Sequence, residues 1–187
     1  KIFNRNIIFL TKWMEIKMSD FIYSNISVEP MYFSNAIKKI YSDNTPRVFE
    51  YHGPWGSLAV SENLYNGFLP YEDSDYIFVV IGGPLLTGKN NNFIKESNSN
   101  SGTKEVYKLW KSGKIQWDED LSGPFAIIII NKLDKSVMLV TDLMSFIPVY
   151  SFKDNSRFLV GTHVDILADV SEQTRSIDVV SSVDFIL

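Results

Sequence analysis

Hydrophobic positions gather into short runs separated by polar turns. The densest run is Phe125 to Ile130, within Leu121-Ser-Gly-Pro-Phe-Ala-Ile-Ile-Ile-Ile-Asn131. A membrane span needs about 20 apolar residues, so this run is too short to be one. It is β-branched and bounded by Gly123-Pro124 and Asn131-Lys132, which is how a strand buried on both faces reads. The polar stretch Asn131 to Lys135 and a second apolar run, Val137 to Val140, make a hairpin with it. A third run, Ile147 to Phe152, carries a Pro at its start, where a strand tolerates one. A fourth, Arg157 to Gly161, follows the turn Lys153 to Ser156. The four runs together predict an antiparallel meander inside a core.

Upstream, Tyr76 to Ile81 reads as a buried strand ending at Gly82-Gly83-Pro84. Phe21 to Tyr23 and Leu58 to Val60 are shorter strand candidates. Between Phe49 and Val60 the alternation is poor, and His52-Gly-Pro-Trp-Gly56 marks a loop. The polar tracts Asn90 to Asn92 and Ser97 to Gly102 make one long loop from Thr87 to Gly102.

Helical spacing groups Ala36, Ile37, Ile40 and Tyr41 on one face, with Ser34 or Asn35 as N-cap. Thr103 caps a second helix running to Ser112, where Gly113 ends it. Thr162 caps a third, carrying Val164, Ile166, Leu167 and Val170, with His163 at its start. Asp178 opens a fourth, whose pattern continues to Leu187. Residues 1–17 hold apolar positions 3, 7, 10, 13 and 14, a spacing compatible with helix or strand, and form an N-terminal extension.

Composition narrows the function classes. Apolar residues are 45% and charged residues 21% of 187, so a packed core is expected. The net charge of −4, with no basic stripe interleaved with aromatics, argues against nucleic acid as a partner. The chain has no cysteine, which removes disulfides, thiol nucleophiles and thiolate metal sites. That fits a cytoplasmic protein. The two histidines, His52 and His163, lack carboxylates at metal spacing, so no metal site is expected. No membrane partner is expected either. A homo-oligomer stays open.

The run from Leu121 carries a resemblance. Leu121-Ser-Gly-Pro-Phe-Ala126, then Thr141-Asp142, then Ser145-Phe-Ile-Pro-Val-Tyr150, then Phe158-Leu-Val-Gly-Thr-His163 resemble the end of a glutaminase domain. That domain is the N-terminal one of the asparagine synthetase family, a class II glutamine amidotransferase of the N-terminal-nucleophile (Ntn) hydrolase type. Thr103-Lys-Glu-Val106, Val79-Val-Ile-Gly-Gly83 and His52-Gly-Pro54 resemble earlier parts of it more weakly. The resemblance implies an α+β fold, an αββα sandwich of two stacked antiparallel sheets between helix layers. It assigns residues 18–176 to the glutaminase-like domain. Residues 177–187 would begin a linker or a C-terminal synthetase domain.

The departures from the family pattern bear on chemistry. Such a glutaminase uses a cysteine at its mature N-terminus, with the α-amine as base. It also uses an Asn and a Gly N–H as oxyanion hole, an Arg for the substrate carboxylate and an Asp for the substrate amine. Here Met18-Ser-Asp-Phe-Ile22 corresponds to the family start, which puts Ser19 at the nucleophile position. The oxyanion Asn becomes Ile81 or Gly82, and the Asp falls on Thr103 or Gly102. No arginine lies between Arg47 and Arg157. The expectation is a catalytically inactive domain with a vestigial pocket around His52, Gly82, Gly83 and Thr103. In one reading it is a scaffold for an ATP-dependent amide-forming domain or partner protein, and that part would hold ATP and Mg. In the other it is a stand-alone ligand- or protein-binding module. An unrelated antiparallel α+β fold is the remaining possibility. Gly82-Gly83-Pro84 reads more simply as a strand-ending turn, since Pro lacks an N–H and no phosphate-loop Lys follows.

Overall fold

The computed structural model describes residues 19–41 and 45–172. The expected N-terminal extension and the segment opened by Asp178 lie outside the described residues. In chain order the elements are β1 (Phe21–Ser24), α1 (Tyr32–Lys39), β2 (Val48–Gly53), β3 (Gly56–Ser61), β4 (Tyr71–Glu72), β5 (Tyr76–Gly82) and β6 (Leu85–Leu86). Then follow α2 (Ser101–Lys111), α3 (Trp117–Asp120), β7 (Leu121–Ser122), β8 (Phe125–Asn131), β9 (Val137–Thr141), β10 (Tyr150–Lys153), β11 (Phe158–Gly161) and α4 (Val164–Ser171).

The strands pair antiparallel throughout. One sheet has the order β10-β11-β1-β3-β2 and another β4-β5-β8-β9, while β6 and β7 pair separately. The fold is α+β, and side-chain alternation explains its layering. On β8, Ala126, Ile128 and Ile130 join Ile77, Val79 and Ile81 of β5 in a cluster with Phe21, Tyr23, Leu58 and Val160 of the five-stranded sheet. The opposite face, Phe125, Ile127 and Ile129, packs with Phe78, Val80 and Val106 of α2. On the far side of the five-stranded sheet, Ile22, Ala59 and Leu159 pack against Phe33 and Ile37 of α1 and Ile166 and Val170 of α4. Each fully buried Val, Ile or Phe stabilises such a core by roughly 1.5–3 kcal/mol relative to exposure. The period-2 alternation of strands makes the central strands serve two cores at once.

The expected meander is divided. β8 and β9 form the predicted hairpin around Asn131, whose Oδ1 accepts from the N–H of Leu133. The chain then crosses to the other sheet, where β10 and β11 pair beside β1. Asp142 makes the break: its N–H donates to Phe125 O, and its carboxylate accepts from the N–H groups of Phe125, Met144 and Phe146. A carboxylate binding the backbone two residues on is an Asx turn, and it ends β9 there. Pro148, which has no N–H to give a ladder, lies in the connection, and the third strand starts only at Tyr150.

Other expectations shift as well. His52-Gly-Pro54 is not a free loop: His52 is on β2, paired with Ser57 of β3 in a tight hairpin. The stretch from Thr87 to Gly102 carries a 3-10 turn at Asn92–Lys95 and is pinned by the Asn91 side chain, which bonds both the N–H and O of Leu86. Asp118 to Asp120 belong to the single turn of α3. The caps differ too. Asn100 precedes α2 and Thr103 sits inside it. For α4 the cap is His163, whose Nδ1 accepts from the N–H of Asp165. Gly113, with φ +69, ends α2 as expected.

Candidate functional site

Ser19 stands two residues before the start of β1 and is buried. Its Oγ lies 3.3 Å from both Glu62 O and Asn63 Oδ1 and accepts from the Leu64 N–H at 3.3 Å. The side chain is therefore tied to the loop after β3. Ser19 also lines a cavity of about 240 Å³ with Tyr65, Ile81, Gly82, Pro124, Phe146 and Ile147. This cavity sits where the start of the five-stranded sheet meets the end of β5 and the start of β8. Its wall holds one hydroxyl from Ser19 and the phenol of Tyr65, and no charged side chain.

Asn63 shapes the rim. Its Nδ2 donates to Val80 O and to Gly82 O, each at 2.8 Å, and its Oδ1 accepts from the Tyr65 N–H at 3.0 Å. One amide thus bridges the loop after β3 to the end of β5 in the other sheet, and all its bonding capacity on the nitrogen is used. Sequence reasoning missed Asn63, which hides in a turn-rich stretch where Asn is common. Its only signal is its position just past a buried strand.

The two glycines serve close approach. At Gly82, φ is +88 and a Cβ would stand 2.3 Å from Pro124 O and 2.8 Å from Ile147 Cδ1. Only glycine fits there. At Gly83 a Cβ would meet the Tyr65 ring at 2.4 Å, so that ring lies directly against the glycine. Both facts fit a strand-ending turn.

The other candidates lie apart. Thr103 is fully buried in the first turn of α2, and its Oγ1 donates to Leu69 O at 2.8 Å. With Gly102 it anchors the loop at Gly67, and it does not line the cavity. His52 is at the other end of the β2–β3 pair, four residues along from the Val48–Ser61 pair nearest Ser19, or roughly 13 Å at strand rise. Its Nδ1 is 2.9 Å from Ser57 Oγ and its Nε2 is 3.6 Å from Glu50 Oε2. Ser, His and Glu in line resemble a hydrolytic triad. Ser57, however, is fully buried and already accepts from the Val28 N–H, so no substrate reaches it. Glu50 instead accepts from the N–H groups of Met31 and Ser34 and so caps α1, whose own N-cap, Met31, offers no side-chain oxygen.

Beside Ser19, the buried Asp20 accepts from Thr162 Oγ1 at 2.9 Å and Tyr41 OH at 2.7 Å. Burial pushes the Tyr41 phenol up, and the Asp20 carboxylate adds to that. This network locks β1 to β11 and to the end of α1. It does not face the cavity. Among the described residues no group of three or more His, Asp or Glu is placed to hold a metal ion, and no helix is long and apolar enough to cross a membrane. No family model matches the chain, and no curated protein matches it.

Proposed function

We propose that the chain is a catalytically silent, glutamine amidotransferase-like domain with an Ntn-hydrolase type of sandwich. It acts as scaffold for an ATP-dependent amide-forming domain or partner. The observation that carries this reading is the cavity itself. Ser19, which the resemblance puts at the nucleophile position, and Ile81 and Gly82, one of which it puts at the oxyanion position, come from distant parts of the chain to one cavity wall. Two facing sheets with helices on their outer faces are the layering that the motifs from Leu121 to His163 imply. The same wall supports the loss of glutaminase chemistry. It offers no cation for a carboxylate and no carboxylate for an amine, and burying either charge unpaired is costly. The Asp20 carboxylate beside it is engaged by two hydroxyls. The test is ammonia release from glutamine by the full chain and by a chain beginning at Ser19 with a free amine. The expected result is the uncatalysed rate for both. Release above that rate by either chain overturns the reading.

The apolar walls favour a second reading, a binding module whose cavity takes an uncharged apolar ligand. Titrating the isotope-labelled chain with indole distinguishes it: saturable shifts at Gly82 and Ile81 support a ligand site, and their absence removes it.

A further inference from the structure

Asp142 has a consequence beyond ending β9. By drawing the N–H groups of Met144 and Phe146 onto its carboxylate, it turns the loop outward. Leu143 is 90% exposed, Met144 69% and Phe146 65%. Large apolar side chains clustered on a surface mark an interaction site. These three border a groove of about 690 Å³ that also includes Ile115, Trp117 and Pro124, within the size range of sites that accept a ligand or several side chains. Asp118 and Glu119 stand on its rim, and neither has an ion-pair partner among the described residues. The groove therefore suits an occupant that is apolar and basic.

The chain itself supplies one. Pro124 and Phe146 line both the groove and the cavity, and the cavity also holds Ser19. Whatever precedes Ser19 leaves from beside the groove. Residues 1–18 read Lys-Ile-Phe-Asn-Arg-Asn-Ile-Ile-Phe-Leu-Thr-Lys-Trp-Met-Glu-Ile-Lys-Met, with ten apolar side chains and four basic residues against one acidic. The other residues of the chain carry 14 basic against 21 acidic, so the body of a second copy would meet the acidic rim with like charge. A dozen residues span up to about 40 Å when extended, and the groove begins much nearer. Tethering puts the segment at an effective concentration in the millimolar range.

We propose that residues 1–18 of this chain dock in cis on the groove formed by Leu143, Met144, Phe146 and Trp117, with their basic residues against Asp118 and Glu119. This assignment does not depend on the amidotransferase reading.

The absence of cysteine makes the test direct. A spin label is placed on Met144→Cys in the full 187-residue chain, and a second on Ser122→Cys, a groove position outside the apolar patch. A third, on Lys38→Cys of α1, reports from the helix layer over the other sheet. Amide signals of residues 1–18 lose half or more of their intensity with the first two labels and keep it with the third. Charge reversal by Asp118→Lys with Glu119→Lys restores the lost intensity several-fold. Unlabelled chain carrying the nitroxide, mixed with isotope-labelled chain lacking it, produces no broadening. Absence of broadening from both groove labels overturns the proposal. So does broadening equal to that from Lys38→Cys, broadening that survives the charge reversal, or broadening between chains in the mixture, which would assign the groove to a second copy.

Discussion

β8 and the cavity rim share the residue pair Gly82–Phe125, yet they are held by opposite means. Along β8, six consecutive residues are buried with at most 2% exposure, and side-chain burial on both faces holds the strand. At the rim a single amide, Asn63, joins the two sheets by bonds to two β5 carbonyls. Burial is non-directional and tolerates changes in shape. A bridging amide is directional, and nothing nearby replaces it. The framework can thus persist while the cavity it encloses changes its walls.

The sharpest test of this contrast is a pair of truncations read by urea denaturation. Ile128→Ala, in the cluster between the sheets, is expected to cost about 2–5 kcal/mol through lost burial and the void left behind. Asn63→Ala leaves Val80 O and Gly82 O without their donor and is expected to cost about 1–3 kcal/mol. Its larger effect falls on the cavity, where the amides of Gly82 and Tyr65 shift while those of β8 stay in place. A loss at Asn63→Ala equal to that at Ile128→Ala would break the contrast, because the rim would then carry the fold as much as the core does.

The same contrast decides what was legible beforehand. β5, β8 and β9 announce themselves, since a strand buried on both faces has to be written in consecutive apolar residues and its turns in Asn, Asp and Gly. The division of the meander does not announce itself. Thr141-Asp142 and Pro148 are visible, but which sheet receives the next strand depends on contacts with β1, more than a hundred residues earlier. β2 is obscure for a similar reason: it is an edge strand whose residues are only partly buried, so its alternation is weak. At the site, Ser19 and Gly82 were named by position in a motif, and both line one cavity. His52 was named from a tripeptide, and the hairpin register carries it to the far end of the sheet. Asn63 and Glu50 act through backbone partners distant in sequence, and such partners leave no local pattern.

Glu50, in the middle of β2, extends the contrast to the start of α1 and adds a readout that Asn63 lacks. Burial works to raise its carboxyl. Hydrogen bonds from the Ser34 hydroxyl, the N–H groups of Met31 and Ser34, and His52 outweigh that and hold it below its ordinary value of 4.5. A carboxyl lowered in the folded state stabilises the fold above its unfolded value. That stabilisation is lost as pH falls through the lower, folded value. Glu50→Gln is therefore expected to cost about 1 kcal/mol near neutral pH, from the weakened cap and the lost charge at the start of α1. The gap between parent and variant stays constant down to about pH 5 and narrows below it. Urea denaturation of both chains between pH 3 and 7 measures this. A gap that does not narrow at low pH would mean that Glu50 acts only by filling space, and the polar bridges would then be no different in kind from the core.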